Sequence, residues 1–250
     1  MISPKTDNDL WIRNYHQAPS GAPRLVCLPH AGGSATFYFP VSRALSPAIE
    51  VMAIQYPGRQ ERRHEALVDN LQDLAALVFE ALSPWPSQPV AIFGHSMGAS
   101  LGFELARLAE QQAGATLSRL FVSGRRAPSR LRHETVHLRD DEGLLADLRQ
   151  LSGTDDRILG DEEMLRLTLP AIRSDYKAAE TYTYEPGPKL NCPITAFTGD
   201  NDPKATVDEV SAWAEHTVSD FDLSVFPGGH FFLAKHQQAV LKSISEKLAA

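Results

Sequence analysis

An apolar run, Ala91-Ile92-Phe93, passes directly into Gly94-His95-Ser96-Met97-Gly98 and then into an Ala/Leu-rich stretch. Few folds accommodate that order. A turn that merely ends a strand needs at most one glycine. Two glycines, each two residues from one serine, imply a backbone bent hard enough to hold a single hydroxyl outwards. Strand, G-x-S-x-G and helix in succession is the context of a nucleophile elbow, in which the serine sits on a strained turn and side chains at the flanking positions would strike neighbouring elements. The helix after the turn also directs its N-terminal amides at the serine and favours negative charge there.

The rest of the chain alternates in the same way. Arg24–Leu28, Glu50–Gln55, Pro89–Phe93, Leu120–Ser123, Ile194–Thr198 and Asp222–Phe226 are short, mostly continuous apolar runs that predict strands. Such runs suit a parallel sheet covered on both faces. Between them, Leu71–Leu82, Met97–Gln112, Val207–His216 and Gln237–Leu248 carry helical periodicity. The fold class expected is therefore α/β, a mostly parallel, doubly wound sheet. One stretch departs from the rhythm. About 140–184 is helical, acidic and strandless, with stripes at Leu144, Leu145, Leu148 and Leu151 and at Met164, Leu165 and Leu169. It reads as a helical insertion over one end of the sheet. Residues 1–250 are read as one domain that includes it.

A serine hydroxyl needs a base held close by, and the base needs an orienting acid. Around this elbow the acid and then the base follow the serine along the chain. Asp202 lies just after the strand Ile194–Thr198, and His230 just after the strand Asp222–Phe226. Both stand at carboxyl ends of strands, where open α/β sheets place their sites. Asp200 competes with Asp202 but has the usual place of a turn-capping aspartate, whereas Asp202 stands deeper in the loop before Pro203. Of nine histidines, His230 has the strongest context, and His95 and His236 read as structural. The oxyanion hole is assigned to the amides of Met97 and, from "LPHAGGSA" after the first core strand, Ala31, with His30 as the alternative contributor.

Composition excludes other classes. A formal net charge of −7 opposes general nucleic-acid binding, which wants a basic face. No run of 18 apolar residues predicts a membrane span, and the N-terminal residues lack a signal-peptide pattern, so a cytoplasmic protein is expected; a monomer is expected as well. Cys27 and Cys192, both assigned to strands, cannot build a disulfide framework and are expected to be buried thiols. His133-Glu134-Thr135-Val136-His137 matches the H-E-x-x-H zinc signature, but it follows a Pro- and Arg-rich connector with no long helix around it, and no metal is expected. Arg119, Arg125, Arg126, Arg130, Arg132 and Arg139 cluster in an otherwise acidic chain. They read first as a solvated, ion-paired face and second as a landing site for an acidic partner, with Arg59, Arg62 and Arg63 as weaker candidates for that role.

Taken together, "LPHAGGSA", "YPGRQER", "GHSMGA", "SGRRAP", "GDNDP" and "PGGHFFL", spread from residue 28 to 233, resemble the type II thioesterases of polyketide and nonribosomal peptide synthetases. The chain is also similar to the medium-chain fatty-acid synthase thioesterase. "GHSMG" is shared with many hydrolases, and its combination with "PHAGG", "PGR" and "GGHFFL" is far more specific. The resemblance implies an α/β-hydrolase fold with a helical lid and a triad falling on Ser96, Asp202 and His230. It also implies a substrate thioester on the phosphopantetheine of an acyl or peptidyl carrier protein, and no cofactor. The residues alone leave open a general esterase or lipase, an acyltransferase, and a catalytically silent binding protein on the same scaffold.

Overall fold

The computed structural model describes residues 10–85, 88–115, 117–152 and 162–249, with side chains from 168 onwards in the last of these. Seven strands form one sheet in the order β1-β3-β2-β4-β5-β6-β7. They are β1 (Ile12–Arg13), β2 (Arg24–Leu28), β3 (Glu50–Ile54), β4 (Val90–His95), β5 (Leu117–Ser123), β6 (Ile194–Gly199) and β7 (Phe221–Phe226). Only β1 runs antiparallel, against β3. The helices are α1 (Phe39–Leu45), α2 (Leu71–Ala81), α3 (Met97–Gln112), α4 (Asp141–Ser152), α5 (Glu162–Glu180), α6 (Val207–Ser211), α7 (Phe232–Lys235) and α8 (Gln237–Ala249).

Period-two alternation explains why both faces are covered. In β2, Leu25 and Cys27 join Tyr38, Val51, Phe93, Phe121, Val240 and Ile244 on the side of α1 and α8. Val26 and Leu28 join Leu74, Val78, Leu101, Phe103 and Trp213 on the side of α2 and α3. Strands buried on both faces read as mostly continuous apolar runs, as Leu25–Leu28 of β2 and Val90–Phe93 of β4 do. Helix starts are set locally: the Asn70 side chain accepts from the Asp73 amide at 3.0 Å, and Thr206 with Glu209 forms a reciprocal cap on α6.

Several expected boundaries shift. Strand β4 continues through Gly94 and His95, because His95 still pairs with Ser123 of β5. Helical periodicity over Val207–His216 resolves into α6 followed by a 3-10 turn, Ala212–His216. The strand β1 and the short helices α1 and α7 were not expected, being too brief to show a period. Cys27 lies in β2, whereas Cys192 falls two residues before β6 rather than within a strand. Both thiols are free and buried, and burial raises both, Cys192 to about 12.

The acidic segment between β5 and β6 contains α4 and α5 and no strand among the described residues. Leu144, Leu145 and Leu169 pack with Val136, Ile172 and Tyr176 in a small separate cluster. The side chains of Met164 and Leu165 lie outside the described residues.

Candidate active site

Register brings the site together at the carboxyl edge of the sheet. Leu28 of β2 pairs with Gly94 of β4, and Gly199 of β6 with Phe226 of β7, so the loops after these strands emerge side by side. At the elbow, Ser96 has φ +54° and ψ −120°, a conformation that a non-glycine residue holds only when its surroundings enforce it. The enforcement is steric. A Cβ on Gly94 would lie 2.0 Å from the Gly98 carbonyl oxygen, and one on Gly98 would lie 2.2 Å from the Leu28 carbonyl oxygen. Helix α3 therefore presses on the strands with backbone against backbone. The Ser96 amide is tied to the Ser123 carbonyl at 2.8 Å.

His230 Nε2 lies 3.0 Å from Ser96 Oγ, and His230 Nδ1 lies 2.9 and 3.0 Å from the two carboxylate oxygens of Asp202. A carboxylate only accepts, so Nδ1 carries the ring proton and Nε2 is left to accept from the serine hydroxyl. Asp202 is 4% exposed and His230 2% exposed. Asp200 does not reach the ring. Its Oδ1 accepts from Asn201 Nδ2 at 2.7 Å and from the Gly228 amide at 2.9 Å, which ties the two loops together.

Among the described residues, the amides of Ala31 and Met97 donate to no protein group, and both residues line the cavity that contains Ser96. The loop around Ala31 is otherwise bound on every side. Tyr38 Oη donates to the Leu28 carbonyl at 2.7 Å, Tyr56 Oη to the Pro29 carbonyl at 3.0 Å, and Gly33 N to the His30 carbonyl at 2.9 Å. Gly32 N donates to Asp175 Oδ2 of α5 at 2.7 Å.

The cavity over Ser96 holds about 50 Å³ and is bounded by Leu148 and Leu151 of α4, Tyr176 and Ala179 of α5, and Arg125, Glu134 and Lys204 from the loops. A larger apolar groove, about 420 Å³, lies behind it between α1 and α8 and shares only the His30 and Phe231 walls.

Two further histidines crowd His230. The His95 ring sits 5.1 Å from it and 6.0 Å from that of His30. Burial, reinforced by His230, lowers His30 to about 4 and pulls His95 well below the usual imidazole range. Both rings are neutral near pH 7, and His95 Nδ1 pairs with Ser123 Oγ at 2.9 Å. His236 Nε2 donates to the Pro227 carbonyl and braces the loop ahead of His230.

The other motifs resolve structurally. Glu134 of the H-E-x-x-H match accepts from Arg126 and Lys204; burial alone would raise it, but those two cations hold it at about 2. His137 pairs with Glu180, and among the described residues no group of three or more donors could hold a metal. Arg119, Arg126, Arg130 and Arg132 each pair with a carboxylate, respectively Asp222, Glu134, Glu215 and Glu209. Arg125 instead anchors Ser100 Oγ and the Ala179 carbonyl. Arg59 and Arg62, weighed as surface candidates, are only 6% and 4% exposed and are built into the loop after β3. Their burial was invisible in a segment that reads as polar and charged.

A model of the thioesterase domain family matches residues 23–248. The chain belongs to that family. Thioesterase PikA5 of Streptomyces venezuelae is 51% identical over 243 residues, 97% of this chain and 86% of that one. Gramicidin S biosynthesis protein GrsT of Aneurinibacillus migulanus is 38% identical, covering 95% of this chain and 93% of that protein. The solved type II thioesterase BorB, from the borrelidin biosynthetic cluster, superposes with a TM-score of 0.93 at 56% identity over 98% of this chain and 100% of the other. This chain is accordingly a type II thioesterase, with the α/β-hydrolase fold that the sequence motifs implied. No described helix of the thioesterase is long and apolar enough to cross a membrane.

Proposed function

We propose that the thioesterase hydrolyses acyl groups held as thioesters on the phosphopantetheine arm of carrier proteins in polyketide or nonribosomal peptide assembly, with Ser96, His230 and Asp202 as its triad. The observation that carries this reading is the unbroken chain of contacts from Ser96 Oγ through both ring nitrogens of His230 to Asp202.

In this mechanism His230 Nε2 takes the Ser96 proton as Oγ attacks the thioester carbonyl. The oxygen of the tetrahedral intermediate receives the Met97 and Ala31 amides; both residues line the cavity, and among the described residues neither amide has a competing protein acceptor. Collapse breaks the C–S bond, and His230 returns its proton to the departing thiolate. A water then gives a proton to His230 and attacks the acyl-serine. The second collapse restores the Ser96 hydroxyl and frees the acid. Asp202 keeps the ring in the required tautomer and stabilises it while it is cationic. Helices α4 and α5, as an insertion within a single domain, form the lid over the acyl group. The apolar Leu148, Leu151 and Ala179 in the cavity wall support that role.

Ser96→Ala is expected to lower acyl-carrier thioester hydrolysis by about 10⁵-fold or more and to abolish covalent labelling by a fluorophosphonate. Matched oxygen esters assayed beside the thioesters separate this activity from that of a general esterase. Labelled but inactive wild type would overturn the hydrolase assignment.

A further inference from the structure

Three segments far apart in sequence meet beside Ala31. Asp175 projects from α5 and is 3% exposed. Its Oδ2 accepts the Gly32 amide at 2.7 Å and also an Nη2 proton of Arg59, itself 6% exposed. Arg59 Nη1 in turn donates to the Pro57 carbonyl at 3.1 Å. Beneath them, Tyr56 holds the Pro29 carbonyl. The contact between α5 and the loop is also steric. Gly32 has φ +75°, and a Cβ there would meet Ile172 of α5 at 2.7 Å.

A charge buried this deeply is retained at a cost unless it is paired and hydrogen-bonded, as here. Burial raises Asp175 from the usual carboxylate range, while Arg59 and the Gly32 amide pull the other way. Its partners matter for where they lie. The Gly32 amide belongs to the peptide unit directly after Ala31. Fixing its direction limits the rotation about the Ala31 Cα–C bond, and the Pro29 carbonyl is pinned on the other side, so the peptide that carries the Ala31 amide is held between two fixed neighbours.

We infer that Asp175, paired with Arg59, is a positioning residue for the oxyanion hole: it holds the Ala31–Gly32 peptide in register with Ser96 and makes that register depend on the seating of α5 over the cavity. The inference rests on the proposed roles of Ser96 and Ala31. The same helix supplies Tyr176 and Ala179 to the cavity wall. A helix displaced from the cavity thus releases the Gly32 amide, and the thioesterase has its full oxyanion hole only when the cavity is covered.

The test uses the full chain with the butyryl thioester of N-acetylcysteamine, and turnover is counted per site titrated with a fluorophosphonate. Asp175→Ala is expected to lower kcat about 10²-fold, with KM changed less than threefold. Its inhibition constant for a trifluoromethyl ketone, which forms an oxyanion on Ser96, should rise by a similar factor. Asp175→Asn, whose carbonyl can still accept the Gly32 amide, should recover most of the loss. If the alanine variant fails to fold with Arg59 left unpaired, the double variant Asp175→Leu/Arg59→Met removes both charges and should fold while keeping the kinetic defect. Titrated sites of either variant turning over at the wild-type rate, with an unchanged ketone constant, would overturn the inference. Activity that survives Ser96→Ala would instead overturn the triad on which it rests.

Discussion

The elbow around Ser96 and the helical segment that covers it are held by different forces. At the elbow the contacts are between backbones, with carbonyl oxygens about 2 Å from where a Cβ on Gly94 or Gly98 would sit. In the cover, a small cluster around Leu144, Leu145 and Ile172 is supplemented by polar bonds between parts of the same segment. Glu180 receives the Val136 and His137 amides, Arg173 caps the His137 carbonyl at 2.8 Å, and Tyr176 donates to Asp147 at 3.1 Å. The first arrangement has no small adjustment open to it. The second can lose one contact and keep the others.

If that contrast is sound, the largest single effect belongs to Gly94→Ala. It should destabilise the fold by about 4 kcal/mol or more, or prevent folding altogether, because the new methyl group meets backbone that cannot yield. Circular dichroism melting of the purified variant checks this.

Acid comes next, and it acts on the elbow side. His30 titrates near 4 in the fold, below its unfolded value near 6.5, so between those values the unfolded chain binds more protons. Stability is complete above about pH 6.5 and is lost as pH falls towards 4, by about 3 kcal/mol for this ring. His216, likewise lowered to about 4 by burial, adds to the loss. The melting temperature should therefore fall by at least about 5 °C between pH 6.5 and 4.5. A flat profile would mean that these rings are not neutral and buried in solution.

Leu144→Ala, within the cover, should cost about 2–3 kcal/mol but leave the elbow intact. Hydrogen exchange would show lost protection in α4 and α5 with the amides of α3 unchanged. Equal loss in both places would mean that the two regions open as one unit. The smallest effect is expected from Lys177→Ala, which removes an exposed pair with Asp69 at 2.6 Å and should shift the melting temperature by no more than about 1 °C.

The elbow was legible because everything that builds it is local. Gly94, Ser96 and Gly98 lie within five residues, and the strand before and the helix after them carry their own periodicity. Asp202 and His230 could be picked out because each follows a strand, and strand ends lie at one edge of a parallel sheet. The landing-site reading of Arg59 and Arg62 failed for the opposite reason. A guanidinium looks solvated in sequence; Arg59 is buried against Asp175 of α5, 116 residues away, and Arg62 folds back onto the Gln55 carbonyl of its own loop. Asp175 itself carried no signal, being one acid among many in an acidic helical stretch.

The sequence by itself determined the α/β alternation, the place of the serine and the family motifs, since each strand, helix or motif is a pattern of period and spacing within a short stretch of its own. Tertiary structure decided which aspartate faces the histidine, that most of the clustered arginines are paired, and that a helix 143 residues away holds the Gly32 amide beside the serine. The physical reason is that burial and hydrogen bonding are properties of a place in space. A charged side chain shows neither until the chain has folded around it.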